Sequence, residues 1–212
     1  SNGSRGEDAR GMQQFLADLG LGITIDGAFG PQSVKTLQSA QSRFGLDATD
    51  TVDLAIFQQL LICRLAYEYE DLAYDLMPEP DWTQVGYWRA CGLEMQAQRY
   101  SARMAFENLG DYRDSGQRAA ACVLAFPGNG LVESNHAYGG TSVQLTVVTT
   151  RPSGYGTYLK IYTPDEDLVR TAFISGSSSA TLYMPSGVYI MKVGVGTEWY
   201  GPKEAFGEGD DA

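Results

Sequence analysis

The chain has 212 residues and a formal net charge of −11, and no segment of it is basic. This charge excludes a nucleic-acid-binding protein that relies on counterion release. No run of about eighteen apolar residues is present, so the sequence predicts no membrane-spanning helix. Three cysteines, an odd and sparse number, do not describe a disulfide-stapled secreted domain. The 43% hydrophobic and 19% charged residues are typical of a folded protein with one large domain or a few small ones.

Three stretches near the N-terminus place apolar residues at helical spacing, namely Met12–Leu19, Val34–Phe44 and Leu54–Leu61. Between the first two, Asp26–Gly27 predicts a tight turn, because glycine adopts positive φ without a clash. Gly30–Pro31 then predicts a helix entry, since proline at the first helical position gives up no needed N–H group. The pattern predicts a compact domain of three short helices and one tight turn.

The segment Asp26–Ser33 resembles the turn motif of the bacterial three-helix peptidoglycan-binding domain. Met12–Gln13 before this segment and Gln41–Leu46 after it match the same family pattern. The resemblance covers residues 9–65, for which it implies the three-helix fold. The family occurs as a targeting module on cell-wall hydrolases, carboxypeptidases and other envelope proteins.

The resemblance also implies a ligand site around this turn. We expect Asp26, Phe29 and Gly30 to serve mainly as the turn, an apolar plug and the helix entry. The polar side chains that flank them could hydrogen-bond glycan or stem peptide. The candidate peptidoglycan-binding residues, structural ones included, are Asp26, Phe29, Gly30, Gln32, Ser33, Lys35 and Arg43.

Two polar stretches predict the boundaries of this domain. Residues 1–8 are polar and glycine-rich, and we interpret them as a vector-derived remnant or a linker after a removed leader. Residues 66–81 are acidic and rich in tyrosine, and Pro78 and Pro80 interrupt any helix there. We predict a linker over residues 66–81, either a solvated hinge or a docking strip for a basic partner.

Residues 82–127 carry helical apolar stripes and end at the helix breaker Pro127–Gly130. Leu109–Ser115 followed by Cys122 resembles a tetratricopeptide-like helical pair found in bacterial surface and zinc-ribbon proteins. Only about one and a half repeats are present, whereas a stable solenoid needs about three. We therefore expect a spacer or packing element and not a peptide-binding groove.

From Val143 onward the apolar period changes to two, in five or six short stretches separated by turn-forming residues. This predicts an antiparallel β-sandwich or half-barrel over residues 128–212, and an α+β multidomain class for the whole chain. Pro185–Tyr189 and the tail around Trp199 and Tyr200 resemble an uncharacterised bacterial β-domain, from which no activity follows. We expect these two aromatic residues to plug the domain or, alternatively, to form an exposed platform that stacks on sugar.

No catalytic constellation is found. The one histidine, His136, lies in a glycine- and serine-rich stretch typical of a surface loop, and a single histidine does not supply a histidine-based metal site. No serine or cysteine occupies a nucleophile-elbow context. We expect Cys63, Cys91 and Cys122 to be buried free thiols, with a Cys91–Cys122 bridge as the alternative. The sequence thus predicts no enzyme activity, cofactor or metal.

These observations predict a non-catalytic peptidoglycan-binding or anchoring module of a bacterial envelope protein. We expect an extracellular monomer that binds glycan or stem peptide, with another envelope protein as a further candidate partner. Two alternatives remain open. One is a protein-interaction scaffold, intracellular or tethered, that has lost wall binding, because Asp50–Thr51 stands where the family usually repeats Asp-Gly. The other is the targeting fragment of a larger wall hydrolase.

Overall fold

The computed structural model describes residues 3–139 and 143–207, which divide into two compact units. The first unit ends at Cys122 and is mainly helical, and the second begins at Val123 and contains antiparallel sheets. This confirms the predicted α+β class with helices first, and the described strands form no closed barrel. We predicted a boundary after residue 127, whereas Leu124 and Phe126 already pack within the second unit.

Local sequence explains where the helices of the first unit begin. Pro31 occupies the first turn of its helix, and Asp53 and Asp81 each cap the helix that follows them. The Asp53 Oδ1 atom accepts from the backbone N–H of Ile56 at 2.8 Å, which satisfies an otherwise free donor. The elements of the first unit are β1 (Ser4–Arg5), α1 (Glu7–Asp18), β2 (Ala28–Phe29), α2 (Pro31–Arg43), α3 (Leu54–Glu68), α4 (Glu70–Leu76), α5 (Trp82–Met95), α6 (Arg99–Asn108) and α7 (Ser115–Cys122).

The first described residues belong to the domain. Strand β1 pairs antiparallel with β2, which sets Ser4 opposite Phe29. The backbone N–H of Gly3 also donates to the carbonyl oxygen of Phe29 at 2.7 Å. Residues 3–6 therefore pack on the domain, because their backbone pairs with the tight turn.

The predicted linker over residues 66–81 is largely helical and packed. Helix α3 continues to Glu68, and α4 follows it directly. Ala73 in α4 is fully buried, and the Tyr74 ring stacks on Trp82 with the ring centroids 4.2 Å apart. One hydrophobic cluster accordingly runs through the first unit without a break at this segment. Of the acidic residues of α4, Asp71 and Asp75 are exposed and Glu70 is half-buried.

The later helices also hold the C-terminal end of α2. Three consecutive carbonyl oxygens, those of residues 43–45, lie where a helix leaves its acceptors without intrahelical donors. Their donors are, in order, Arg118 Nη1 (2.6 Å), Trp88 Nε1 (3.2 Å) and Arg113 Nη1 (2.8 Å). Two of these donors are cationic, which suits the negative end of the helix dipole. Residues 82–122 thereby complete the packing of the N-terminal helices.

The second unit contains two antiparallel sheets. Its strands are β3 (Gly130–Ser134), β4 (Val143–Val148), β5 (Gly156–Tyr162), β6 (Leu168–Ser175), β7 (Ser179–Met184) and β8 (Ile190–Gly196). The larger sheet has the order β3-β6-β5-β8, and the smaller one pairs β4 with β7. Strand β3 was not predicted, since a bulge between Leu131 and Glu133 interrupts its alternation.

The central strands β5 and β6 are buried on both faces. On one face, Leu159 and Ile161 share a hydrophobic cluster with Leu182 of the smaller sheet. On the other face, Tyr158 and Phe173 pack beneath the C-terminal segment. The alternation of side chains along each strand separates these two clusters, so each strand contributes to both layers.

Candidate functional site

The predicted turn motif is held together by one buried side chain, Gln13 of α1. Its Nε2 atom donates to Asp26 Oδ1 (2.8 Å), to the carbonyl oxygen of Ala28 (3.1 Å) and to Ser33 Oγ (3.2 Å). Its Oε1 atom accepts from the backbone N–H of Gly27 at 2.8 Å. A single amide therefore links the helix, the turn and the start of α2.

Asp26 and Phe29 serve this architecture. Asp26 Oδ1 also accepts from the backbone N–H of Ala28 at 2.9 Å. The Gln13 amide, followed by the Ala28 N–H group, lowers the pKa of the Asp26 carboxyl, because both donors stabilise the charged form. The Phe29 ring is buried in the core, and Gly27 adopts a φ of 73°, which favours glycine. The motif thus builds a rigid turn.

A second buried glutamine, Gln41 in the last turn of α2, holds the turn that follows α2 in the same way. Gln41 Nε2 donates to Thr49 Oγ1 at 2.9 Å, and Gln41 Oε1 accepts from the Thr49 N–H at 2.9 Å. Thr49 Oγ1 in turn donates to the carbonyl oxygen of Thr51 at 2.9 Å. The chain departs from the family pattern at Asp50–Thr51, yet its second turn is held by a side-chain amide as the first one is.

Sequence reasoning did not identify Gln13 or Gln41 as organising residues. A signal was present, because each lies beside the apolar stripe of its helix, where a polar side chain needs a buried partner. The remaining polar candidates lie elsewhere on α2. Gln32, Lys35 and Arg43 are exposed, and their spacing sets them along one side of the helix, whereas Ser33 is buried in the Gln13 network.

An open groove of about 1100 Å³ lies between α1, β1 and the start of α3. Its apolar lining includes Phe15 and Phe57, whose ring centroids are 5.6 Å apart, and Leu54, which is 71% exposed. Its charged lining consists of Arg5, Glu7, Asp8, Asp18 and Arg64. The sequence predicted none of this groove, and Phe29 is the one predicted site residue that lines it.

Arg64 forms one wall of the groove. Its guanidinium lies 5.7 Å from the centroid of the Phe15 ring, and its Nη1 atom is 3.4 Å from Asp18 Oδ2. The arrangement places a cation, an anion and an aromatic face beside one another. A ligand that carries both methyl groups and charged groups would find partners for each in this groove.

Trp199 and Tyr200 do not form a stacking platform. They are only 4% and 3% exposed, and the Trp199 ring packs edge-on against Tyr158 and Phe173, at centroid distances of 4.9 and 5.2 Å. The alternative interpretation, a plug for the β-unit, agrees with this burial. The structure instead exposes Trp82, which is 51% accessible and stacks on Tyr74 in the first unit.

The remaining candidates for chemistry are His136 and the three cysteines. His136 is exposed in a short 3₁₀ turn. Cys63, Cys91 and Cys122 are buried free thiols, as expected, and burial raises the pKa of the Cys91 thiol to about 12. Within residues 3–139 and 143–207, no group of three His, Cys, Asp or Glu side chains could hold a metal ion. No helix among these residues is long and apolar enough to cross a membrane.

Comparison with known proteins concerns the N-terminal segment that contains the turn motif and the groove. Residues 5–60 match the family model described as "Putative peptidoglycan binding domain". This segment contains both glutamine networks, α2 and most of the groove lining. No curated protein and no solved structure matches the chain. The N-terminal part of the chain is therefore similar to the peptidoglycan-binding family, and the match extends over residues 5–60 of 212.

Proposed function

We propose that this chain binds peptidoglycan as a non-catalytic module of a bacterial envelope protein, through the groove between α1, β1 and α3. The family match over residues 5–60 carries the proposal. It is supported by the two glutamine networks, which keep the family's turns rigid and so leave the surface between the helices preorganised. We further propose that the module lies in the cell envelope, outside the membrane.

The chemistry of the groove suits the peptide part of the wall. Stem peptides carry methyl side chains together with free carboxylates and an amine. Leu54 and Phe57 offer apolar contacts, while Glu7, Asp8 and Arg5 offer charged partners. Since the whole chain carries a net charge of −11, long-range attraction to an anionic wall is absent and short-range contacts must supply the affinity.

Two further surfaces are candidates for secondary contacts with the wall. The exposed side of α2 offers Gln32, Lys35 and Arg43, whose donors suit carboxylates and acetamido oxygens. Trp82 offers a half-exposed indole, and the stack on Tyr74 holds its plane. Sugar rings pack on such faces through their C–H groups. We propose these as glycan contacts subsidiary to the groove.

Retention on purified insoluble peptidoglycan at physiological salt tests the proposal. A Leu54→Glu variant places a charge in the groove without disturbing the core, because Leu54 is 71% exposed. Its matched control is Val188→Glu, which makes a comparable change at a residue of the second unit that is 76% exposed. We expect retention of the native chain and of the control, and at least a tenfold weaker retention of Leu54→Glu.

Other variants separate the remaining interpretations. A triple alanine variant of Gln32, Lys35 and Arg43 reports on α2, and Trp82→Ala reports on the exposed indole. Variants of Asp26 or Phe29 would not isolate ligand contact, because Asp26 holds the turn through Gln13 and Phe29 is buried in the core. Failure of the native chain to be retained would refute wall binding.

The scaffold alternative has one specific observation in its favour. All three cysteines are buried free thiols, a state compatible with a reducing compartment. Absence of wall retention together with capture of a protein partner would favour this scaffold. The third possibility, the targeting part of a larger hydrolase, shares the wall-binding step. It would be recognised by a catalytic domain elsewhere in the full-length gene product.

A further inference from the structure

Strand β8 forms an edge of the larger sheet in the second unit. Among the described strands it pairs with β5 alone, through a register without a bulge from Tyr162–Ile190 to Gly156–Gly196. Three of its aliphatic side chains, Ile190, Met191 and Val193, are between 41% and 44% exposed. Natural edges are normally protected by proline, bulges or charge, and β8 carries only Lys192. Within residues 3–139 and 143–207, no strand pairs with its outer backbone groups.

The two faces of this edge differ in chemistry. Met191 and Val193 lie opposite Ile161 and Leu159, on the face of the apolar cluster shared with the smaller sheet. On the other face, Lys192 lies directly opposite Lys160 of β5. One side of β8 thus offers aliphatic contacts, and the other side offers two neighbouring ammonium groups.

The lysine pair is unusual in this chain. Like charges directly opposite each other in a sheet are unfavourable, and the protein as a whole carries −11. Among residues 3–139 and 143–207, neither Lys160 nor Lys192 takes part in an ion pair. Their ammonium groups instead lie over the rings of Tyr158 and Tyr162, at 5.9 and 5.7 Å from the centroids. Among the residues that the structure describes, the two lysines therefore have no anionic partner within ion-pair distance.

We infer that β8 is the docking edge for an extended segment of a partner protein, which adds a strand to the sheet. Alternation within that strand directs every second side chain to the face of the two lysines, and the others to the face of Met191 and Val193. Charge complementarity then selects a segment with acidic residues at alternate positions and aliphatic residues between them. This interaction is independent of peptidoglycan binding by the first unit.

Fluorescence anisotropy with labelled synthetic peptides tests the inference. The probe is a peptide of about eight residues that alternates Glu and Val. Its comparison is the same peptide with Lys in place of each Glu, measured in about 0.15 M salt. We expect the acidic peptide to bind about tenfold more tightly than the basic one, because the peptide residue beside Lys192 changes the sign of its charge, while Lys160 lies on the same face one strand further in.

Charge reversal provides the decisive variant. In Lys160→Glu/Lys192→Glu the preference should invert, so that the basic peptide becomes the tighter ligand. Arg151→Glu, an exposed arginine in a loop of the same unit, makes a comparable change away from the edge and should leave the preference unaltered. A Val193→Lys variant, which adds a protective charge to the edge, should weaken both peptides. Thermal unfolding of each variant establishes that the second unit remains folded.

Three outcomes would overturn the inference. The first is equal affinity for the acidic and basic peptides, and the second is a preference that does not invert in the double variant. The third is a dimer in sedimentation velocity that Val193→Lys dissociates while the acidic peptide does not compete. That result would assign the edge to a second copy of this chain. Wall retention in the peptidoglycan assay is unaffected by any of the three.

Discussion

Arg118 is expected to be the most sensitive polar residue of the first unit. It lies in α7, where its Nη1 atom donates to the carbonyl oxygen of Arg43 and its guanidinium pairs with Glu94. The guanidinium also lies 4.9 Å from the centroid of the Phe106 ring. An Arg118→Ala change removes the cation and leaves the carboxylate and the helix-end carbonyl without this partner.

The magnitude follows from burial. Breaking a fully buried ion pair costs about 3–5 kcal/mol, because the remaining charge stays desolvated. Here the Arg118 and Glu94 side chains are 13% and 27% exposed, so water partly compensates. We therefore expect Arg118→Ala to lower the free energy of unfolding by about 2–3 kcal/mol. The matched control is Arg89→Ala, whose pair with Glu70 is 47% and 43% exposed and contributes about 0–1 kcal/mol.

Urea unfolding followed by tryptophan fluorescence measures both variants, since Trp88 is buried beside the end of α2. A shared core predicts that residues 3–122 unfold in one cooperative step, and that Arg118→Ala shifts the midpoint of that step. Equal destabilisation by the Arg118 and Arg89 variants would refute the reasoning. So would a native chain in which residues 5–60 unfold separately from the later helices.

Three further outcomes are expected. Gly92→Ala should lower the free energy of unfolding measured in urea by about 1–3 kcal/mol, because the added Cβ would lie 2.6 Å from the Cβ of Tyr67. Gly116→Ala should raise this free energy by up to about 1 kcal/mol, because its added Cβ meets no described atom within 4 Å. Because the folded-state pKa of Asp26 is lowered, its stabilising effect is present above the unfolded pKa of about 3.9 and is lost as the pH falls through the lower folded value. Thermal melts of Asp26→Asn should thus depend less on pH across that acidic window than those of the native chain, and parallel curves would contradict this. Burial raises the pKa of Cys91 to about 12, so a thiol reagent at about pH 8 should leave it unmodified until denaturant is added.

The elements that follow from local rules were predictable. The Asp26–Gly27 turn and the start of α2 at Pro31 depend on backbone preferences of a few adjacent residues, and the structure contains both. The α+β class followed from the change of apolar period between the two parts of the chain. The peptidoglycan-binding type of the N-terminal domain followed from the same local motif, and the family match over residues 5–60 supports it.

Relations between distant residues were not predictable. Two donors to the end of α2 come from far along the chain: Arg113 lies 68 residues after its acceptor, and Arg118 lies 75 residues after its own. No local pattern indicates such pairs. The groove exists only because residues of α1 and α3, such as Phe15 and Phe57, come together in space, and so its residues appeared in the sequence as ordinary core and surface positions. An acidic, tyrosine-rich segment was taken for a linker because its packing through Ala73 depends on neighbours that composition does not reveal.

The sequence by itself determined turns, helix starts, strand alternation and the similarity of residues 5–60 to a known family, because each depends on the covalent neighbours of a residue. Only the tertiary structure decided which aromatic residues face solvent, with Trp199 buried and Trp82 exposed. It also decided that Gln13 organises the turn and that β8 lies at an edge. Burial and strand order depend on which distant surfaces meet, and a linear pattern specifies the faces of an element but not their partners.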